Sequence, residues 1–200
     1  MPPDSTDTRR RLLEAAEAEF ARHGLGGARI DRIAEAAGAN KRLLYVYYGN
    51  KEQLFDTVLT AAVSRLADAV PLDPDNLPAY VGGIFDYLVK HPEMFRLTTW
   101  RSLERPEHAE PDMASYQRKV GAMRTARQQG RLPEAFDPAD LLAIVVALAK
   151  TWFLTSPALL TLSADDPWSA ERLATHRAAL VEAVTRLVSG ERAYDNAPHS

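Results

Sequence analysis

The stretch that decides the fold is DRIAEAAGANKRLLYVYYGNK, residues 31–51. Its apolar spacing predicts two short helices joined by a tight turn at Gly38, and a new helix that begins at Asn50. Two short helices joined by a few residues that include glycine form a helix-turn-helix, in which the second helix enters the major groove of DNA. The stretch therefore predicts a helix-turn-helix at residues 31–50.

Small and apolar side chains are expected to build this unit. Ile33 anchors the first of the two helices, and Leu44 and Tyr48 face inward from the second. The Tyr48 hydroxyl group will need a hydrogen-bond partner if it is buried. Asn50 and Gln53 have the spacing of a capping box, in which each side chain accepts from the other residue's backbone N–H.

The remaining side chains of the second helix are expected to face DNA. Lysine and arginine can donate to guanine, leucine can touch a thymine methyl group, and tyrosine hydroxyl groups suit phosphate oxygens. A cation in the first turn of a helix opposes the helix dipole unless a phosphate sits there, so Lys51 is expected to hold the DNA backbone. The alternative for Lys51 is an ordinary exposed lysine. The predicted DNA contacts of this region are Asn40, Lys41, Arg42, Leu43, Tyr45, Tyr47 and Lys51.

Helical periodicity covers most of the remaining chain and predicts an all-α protein. Near the N-terminus the expected helices are 7–23, 30–37, 41–47 and one starting at Asn50. After a break at PLDPDNLP, residues 71–78, the expected helices are 77–90, 92–104, 112–129, 138–154 and 167–189. Pro92, Pro138 and Pro167 are each expected in the first turn of a helix, where proline is tolerated. Residues 191–200 are expected to form a disordered tail.

The last two predicted helices are the most apolar part of the chain. Helix 138–154 is apolar on more than one face, and helix 167–189 carries leucines at a spacing of seven. Both helices could simply form the core of this chain. We favour an interface with a second copy, because two-fold homodimers are the commonest assembly. The predicted interface residues are Leu141, Val145, Leu148, Leu173, Leu180, Val184 and Leu187.

Composition excludes several kinds of site. The chain has no cysteine, so disulfides, thiolate zinc sites and cysteine nucleophiles are ruled out, and a cytoplasmic location is compatible. The longest strongly apolar run, residues 141–149, is far too short to span a bilayer, so no membrane partner is expected. Residues 1–51 hold nine Lys/Arg against seven Asp/Glu, whereas the rest of the chain is acidic. This mild asymmetry fits one DNA-facing end.

Residues from about 8 to 67 resemble the DNA-binding domain of the TetR family of bacterial transcriptional regulators. The pieces that carry the resemblance are LLEAAEAEFARHG, IDRIAEAAGANK and LLYVYYGNKEQLF. The resemblance implies an all-α homodimer whose last two helices pair across the dimer. It also implies a DNA-binding domain, placed here at residues 7–68, and a larger ligand-binding and dimerisation domain at residues 69–190.

The chain departs from the family pattern at two places. The family usually has a threonine before the second helix, where it caps the helix and touches phosphate. Here that position is Arg29, so the cap is lost while a phosphate contact remains available. The usual Gly-Thr pair of the recognition helix is replaced by Arg42 and Leu43, so the operator sequence does not follow by analogy.

The resemblance implies that the larger domain binds a small-molecule effector, which the sequence does not identify. Pockets are mostly apolar with a few polar groups, so aromatic and apolar side chains are the candidates. The candidate contacts are Tyr80, Tyr87, Phe95, Trp100, Tyr116, Met123 and Trp152, each of which taken alone is more often a core residue. His108 lies in an acidic loop that could hold a cation. Such a run of charged residues is more often simply exposed to solvent.

No catalytic motif, cofactor motif or metal spacing is present in the sequence, so we predict no enzyme activity. The predicted function is a DNA-binding repressor, homodimeric on a palindromic operator and released by its ligand. The alternatives are a helical ligand-binding or protein-interaction module without operator binding, and a transcriptional activator.

Overall fold

The computed structural model describes residues 5–107, 110–163 and 165–189, and all regular structure within these ranges is helical. The predicted all-α class is confirmed. The predicted tail at 191–200 and His108 lie outside the described residues. The helices are α1 (Ser5–Gly27), α2 (Ile30–Ala36), α3 (Lys41–Tyr48), α4 (Lys51–Ala69), α5 (Leu77–Lys90), α6 (Pro92–Glu104), α7 (Glu110–Gln128), α8 (Pro138–Leu154), α9 (Pro157–Ser163) and α10 (Ala170–Ser189).

Helix α1 continues beyond its predicted end. Gly24 has φ 68° and ψ −176°, so it kinks the helix, and the chain then forms one more turn to Gly27. A side chain at Gly24 would be strained at this φ, and its Cβ would lie 2.8 Å from a ring carbon of Trp100. The glycine therefore marks a bend where sequence analysis placed the end of the helix.

The prediction for the C-terminal helices was wrong in one place. Residues 157–163 form the separate short helix α9, and α10 begins at Ala170, so Pro167 does not lie in its first turn. Local hydrogen bonds explain the late start, because the Trp168 N–H donates to the Asp166 carboxylate at 2.9 Å. Ser169 Oγ then accepts from the Arg172 N–H at 3.3 Å and caps the new helix. Pro92 and Pro138 do occupy the first turns of their helices.

The chain divides into two compact units. The first unit comprises residues 1–69 and 88–115, and the second comprises residues 70–87 and 116–200. In the first unit α1 packs against α2, α4 and α6. Phe20 of α1 and Phe55 of α4 are fully buried and meet edge to face, with ring centroids 5.1 Å apart. The predicted boundary at residue 68/69 stays a prediction, and the contacts group α6 with the N-terminal helices.

In the second unit α8 packs against α10. Of the seven predicted interface residues, four are buried within this chain: Leu141, Val145, Leu180 and Val184. Because their side chains are already covered, they have little area left to bury against a second copy. Leu148, Leu173 and Leu187 are half-buried and keep some apolar surface.

In the described ranges no single helix is both long enough and apolar enough to cross a membrane. Helices α8 and α9 reach that length and composition only when taken together, across a bend of 83°.

Candidate DNA-binding site

The turn between α2 and α3 is held by backbone hydrogen bonds and by one arginine. Gly38 has φ 59°, which favours glycine, and the following Ala39 N–H donates to the Ala34 carbonyl at 2.9 Å. Arg11 of α1 donates from Nη1 to the Ala37 carbonyl at 2.7 Å. The predicted tight turn at Gly38 is confirmed, and it is fastened to α1.

The start of α2 is held by a carboxylate of α1. Glu19 Oε1 accepts from the Arg29 N–H at 2.8 Å and from Arg32 Nε at 2.8 Å. Burial acts to raise the pKa of Glu19, but the hydrogen bonds from Arg32 and Arg29 outweigh it, so the pKa lies below its usual value. Arg29 itself makes no side-chain cap, as its replacement of threonine predicts. Its exposed side chain is available for a phosphate.

The end of α3 and the start of α4 form a second fixed junction. The Asn50 N–H donates to Gln53 Oε1 at 3.0 Å, and the Gln53 N–H donates to Asn50 Oδ1 at 2.8 Å. This reciprocal pair confirms the predicted capping box. Gly49 before it has φ 76°, and a side chain there would collide with the Gln53 amide.

Helix α3 is attached by its inner face. Leu44 is fully buried, and the half-buried Tyr48 donates its hydroxyl to the Arg9 carbonyl at 2.9 Å. Burial raises the pKa of Tyr48, so this hydroxyl stays protonated and remains a donor. The predicted inward positions and the predicted need for a hydroxyl partner are both confirmed.

The outer face of α3 presents Arg42, Tyr45 and Val46. Tyr45 is 46% exposed and Val46 is 66% exposed. Residues three and four positions apart lie on the same side of a helix, so these three side chains share one face. Val46 is not among the residues that the sequence predicts to contact DNA. Its position four residues after Arg42 could have identified it, but the surrounding apolar run made it resemble a core residue.

Two of the lysines predicted to contact DNA interact with other groups of this protein. Lys41 Nζ lies 2.7 Å from the Asp31 carboxylate of α2, and the hydrogen bond to Asp31 raises the pKa of Lys41. Lys51 donates from Nζ to the Ala28 carbonyl at 3.3 Å. An ammonium group has three donor hydrogens, so Lys51 keeps donors for a phosphate while it holds this carbonyl.

Of the other three residues predicted to contact DNA, two are half-buried and the third caps α3. Leu43 and Tyr47 are half-buried. The guanidinium of Arg9 stacks over the Tyr47 ring at 4.6 Å, which adds a cation beside the predicted phosphate contact. Asn40 caps α3, since its Oδ1 accepts from the Arg42 N–H at 2.8 Å.

The seven predicted ligand contacts do not form one site. Phe95 and Trp100 lie on α6 in the first unit, whereas the other five, Tyr80, Tyr87, Tyr116, Met123 and Trp152, belong to the second unit. Within the second unit Lys119 Nζ lies 5.6 Å from the centre of the Tyr80 ring and 5.8 Å from that of Tyr116. Burial raises the pKa of Tyr80 to about 12.

Trp152 belongs to a different cluster in the second unit. Its ring lies 4.5 Å from that of His176, and the guanidinium of Arg172 stacks over it at 4.5 Å. Arg172 Nε is buried without a hydrogen-bond partner. Burial, and then the charge of Arg172, lowers the pKa of His176, which favours its neutral form.

Two family models match the chain. The model described as bacterial regulatory proteins, tetR family, matches residues 12–58, and the model described as tetracyclin repressor-like, C-terminal domain, matches residues 76–186. The first match contains the whole helix-turn-helix, and the second covers more than half of the chain.

Relatives and solved structures agree with these matches. The HTH-type transcriptional repressor SCO4008 of Streptomyces coelicolor is 44% identical over 158 residues, which are 77% of this chain and 82% of that protein. The HTH-type transcriptional repressor NicS of Pseudomonas putida is 35% identical over 109 residues, 51% of each chain. The crystal structure of the transcriptional regulator SCO4942 from Streptomyces coelicolor has a TM-score of 0.79 and 40% identity, covering 90% of this chain and 98% of that one.

Salmonella enterica GusR, at 19% identity and a TM-score of 0.68 over 94% of this chain and 98% of its own, shares the fold. The two domain matches, the long alignment at 44% identity and the helix-turn-helix geometry lead to one assignment: the chain belongs to the TetR family of bacterial regulatory proteins.

Proposed function

We propose that this protein is a transcriptional repressor that binds a palindromic operator as a homodimer and is released by a small-molecule effector in the cytoplasm. Two relatives, from Streptomyces coelicolor and Pseudomonas putida, are both called transcriptional repressors. We assign the protein no catalytic residues, cofactor or metal.

The observation that carries the proposal is the exposed face of α3 on a rigid frame. Both ends of α3 are fixed by hydrogen bonds, through Asn40 at its start and the Tyr45 carbonyl, which accepts from the Gly49 N–H, at its end. Leu44 then fixes the rotation of the helix. A recognition helix held in this way presents Arg42, Tyr45 and Val46 with little loss of entropy on binding DNA.

The chemistry of this face suits the major groove. Arg42 can donate two hydrogen bonds to guanine O6 and N7, and Val46 can pack against a thymine methyl group. Tyr45 offers one hydroxyl for a base edge or a phosphate. Around this face Arg29, Lys51 and the Arg9–Tyr47 pair supply the groups that hold the DNA backbone.

The homodimer is proposed to form through α8 and α10. Leu148, Leu173 and Leu187 are half-buried and Ile144 of α8 is 37% exposed, so apolar surface remains on both helices. In a two-fold dimer the two recognition helices would enter successive major grooves about 34–36 Å apart. The operator should therefore be an inverted repeat with its half-sites one DNA turn apart.

The effector is proposed to bind the second unit, of which residues 76–87 and 116–186 lie within the match to the C-terminal family model. The Tyr80–Lys119–Tyr116 group combines aromatic faces with a cation and a buried hydroxyl. Such a combination of a largely apolar wall with a few polar groups is typical of ligand pockets.

Selection of bound sequences from random duplex DNA tests the function directly. Enrichment of one inverted repeat is expected, and an absence of any enriched sequence would reject operator binding. Arg42→Ala should then lower the preference for one base pair per half-site. Lys51→Ala should weaken binding to all sequences equally and flatten the salt dependence. A change in base preference caused by Lys51→Ala would contradict its assignment to phosphate.

A further inference from the structure

A small cavity lies between α1 and α6 within the first unit. Its volume is about 270 Å³. Ala21 on α1 and Phe95, Trp100 and Leu103 on α6 form its apolar wall. Leu103 is 70% exposed, so this wall continues out to the mouth of the cavity.

Two arginines also line the cavity, Arg22 from α1 and Arg96 from α6. Both are exposed, and within the described residues neither guanidinium makes a hydrogen bond or an ion pair. Most of the other arginines of the first unit have a partner, such as Arg11 with Asp7 or Arg32 with Glu19. The cavity therefore combines an aromatic wall with two uncompensated positive charges from two different helices.

We propose that this cavity binds a small aromatic carboxylate. The Phe95 and Trp100 rings that line the cavity suit an aromatic ligand, since aromatic rings attract one another edge to face or offset. The two guanidinium groups suit a carboxylate, which they can hold by charge-assisted and bidentate hydrogen bonds. A cation would be repelled by both arginines. A volume of about 270 Å³ is just below the usual range for drug-sized ligands, so a compact ring system fits.

The position of the cavity gives its ligand a consequence for DNA binding, and this part rests on the proposed function. The indole N–H of Trp100 donates to the Ala21 carbonyl at 3.3 Å, so the wall of the cavity is also a contact that holds α6 to α1. A ligand there can change the separation of α1 and α6 by its differential affinity for the two arrangements. Helix α1 carries Arg11 and Glu19, which fasten the helix-turn-helix, so the change reaches the DNA-binding face.

Isothermal titration calorimetry of the full chain tests the site with naphthalene-2-carboxylate as the probe and naphthalene-2-carboxamide as its neutral counterpart. The carboxylate should bind more tightly than the amide. The double variant Arg22→Gln/Arg96→Gln should weaken carboxylate binding at least about tenfold, because each charged hydrogen bond contributes about 1.5–3 kcal/mol. Arg118→Gln, which removes an exposed arginine of α7, is the matched control and should bind like the unmodified protein.

Three results would overturn the site: no heat of binding for the carboxylate, equal binding of acid and amide, or unchanged binding by the double variant. The consequence for DNA is measured separately, as operator affinity with and without saturating carboxylate. We expect the carboxylate to change this affinity in the unmodified protein and not in the double variant. An unchanged affinity in both would overturn the regulatory consequence. A chain that binds no DNA at all would reject the proposed function, while calorimetry would still decide the site.

Discussion

Helix α1 holds two other parts of the first unit, the helix-turn-helix and α6, but only the helix-turn-helix is also fixed by hydrogen bonds between residues close together in sequence. The backbone path of the helix-turn-helix is fixed locally, by the turn at Gly38 and the side-chain caps of Asn40 and Asn50. Side chains of α1, Arg11 and Glu19, then hold it in place. Helix α6 is held to α1 by its own side chains, whose hydrogen-bond partners on α1 lie far away in the sequence. Trp100 donates to the Ala21 carbonyl, and the Glu104 carboxylate accepts from the Leu25 N–H at 2.6 Å.

This difference separates a rigid part, α2 and α3, from an adjustable part, α6. Caps and glycine turns determine the backbone path of α2 and α3, so these helices move as a unit or not at all. The α6 contacts each depend on one side-chain rotamer and contribute about 1 kcal/mol. Such contacts can exchange without unfolding a helix. We therefore infer that α3 is the fixed reader of DNA and that α6 is the element through which a ligand acts.

The first way to test the rigid part is to remove its anchor. Leu44→Ala deletes the fully buried side chain of α3 and should lower the free energy of unfolding by about 2–5 kcal/mol. The matched control is Val46→Ala on the same helix, which is 66% exposed and should change stability by less than about 0.5 kcal/mol. Urea denaturation measures both. Equal losses from the two variants would show that α3 is not held by its inner face.

The same contrast explains which features were predictable from the sequence. Gly38, Tyr48 and the Asn50–Gln53 capping box were predicted correctly because their partners lie nearby in sequence or their burial follows from helical spacing. Even Arg29 was correctly predicted to leave α2 without a side-chain cap. The turn and the capping box are local interactions, and local interactions are encoded in short stretches of sequence. For Tyr48 the sequence predicted only the need for a partner, since the Arg9 carbonyl lies 39 residues away.

Contacts over long separations could not be predicted in this way. Trp100 was assigned to the ligand-binding domain because it is aromatic and follows the predicted linker, yet its hydrogen-bond partner is Ala21. The pairing of Lys41 with Asp31 was also missed, because it depends on the angle between α2 and α3. Helix α9 was overlooked because seven residues are too few to show a helical period.

The second test measures how much the Glu19 carboxylate, which holds α2, contributes to stability and how that contribution changes with pH. Glu19→Gln should lower the free energy of unfolding at pH 7 by about 2 kcal/mol, since it weakens hydrogen bonds from Arg29 and Arg32 to a charged acceptor. The pKa of Glu19 is lowered in the folded protein, so its contribution is complete above pH 4.5, the ordinary value, and is lost as the pH falls through the folded pKa.

Urea denaturation at pH 7 and at pH 3.5 measures this linkage. The unmodified protein should lose more stability on acidification than Glu19→Gln, so the difference between the two should be smaller at the lower pH. A constant difference between them at both pH values would show that the effect of Glu19 does not depend on its charge.

The third test weakens the adjustable part by the same chemical change. Glu104→Gln leaves one amide oxygen where a carboxylate accepted from the Leu25 and Gly26 N–H groups, so a loss of about 1 kcal/mol in the free energy of unfolding is expected. Glu107→Gln, an exposed neighbour, is the control and should change little. Base preference should be unaltered in both variants. A shift in base preference with Glu104→Gln would show that α6 alters the base-reading face of α3 itself and not only the affinity for DNA.

The smallest effect concerns an ion pair on the surface of the rigid part. Asp31 is 77% exposed and Lys41 is 47% exposed, so their pair should contribute only about 0.2–1 kcal/mol to stability. Asp31→Asn should therefore leave the fold almost unchanged. It should nevertheless raise DNA affinity a few-fold at low salt, because Lys41 is released toward the phosphates and one negative charge is removed.

Glu35→Gln separates these two causes, since it removes an exposed negative charge from the same helix without releasing a lysine. If release of Lys41 is the cause, Asp31→Asn should steepen the salt dependence by about one phosphate contact, and Glu35→Gln should not. The gain should also vanish when Lys41→Ala is added to Asp31→Asn. Equal gains from Asp31→Asn and Glu35→Gln would instead show that Asp31 acts only as a general negative charge, and would contradict a phosphate contact by Lys41.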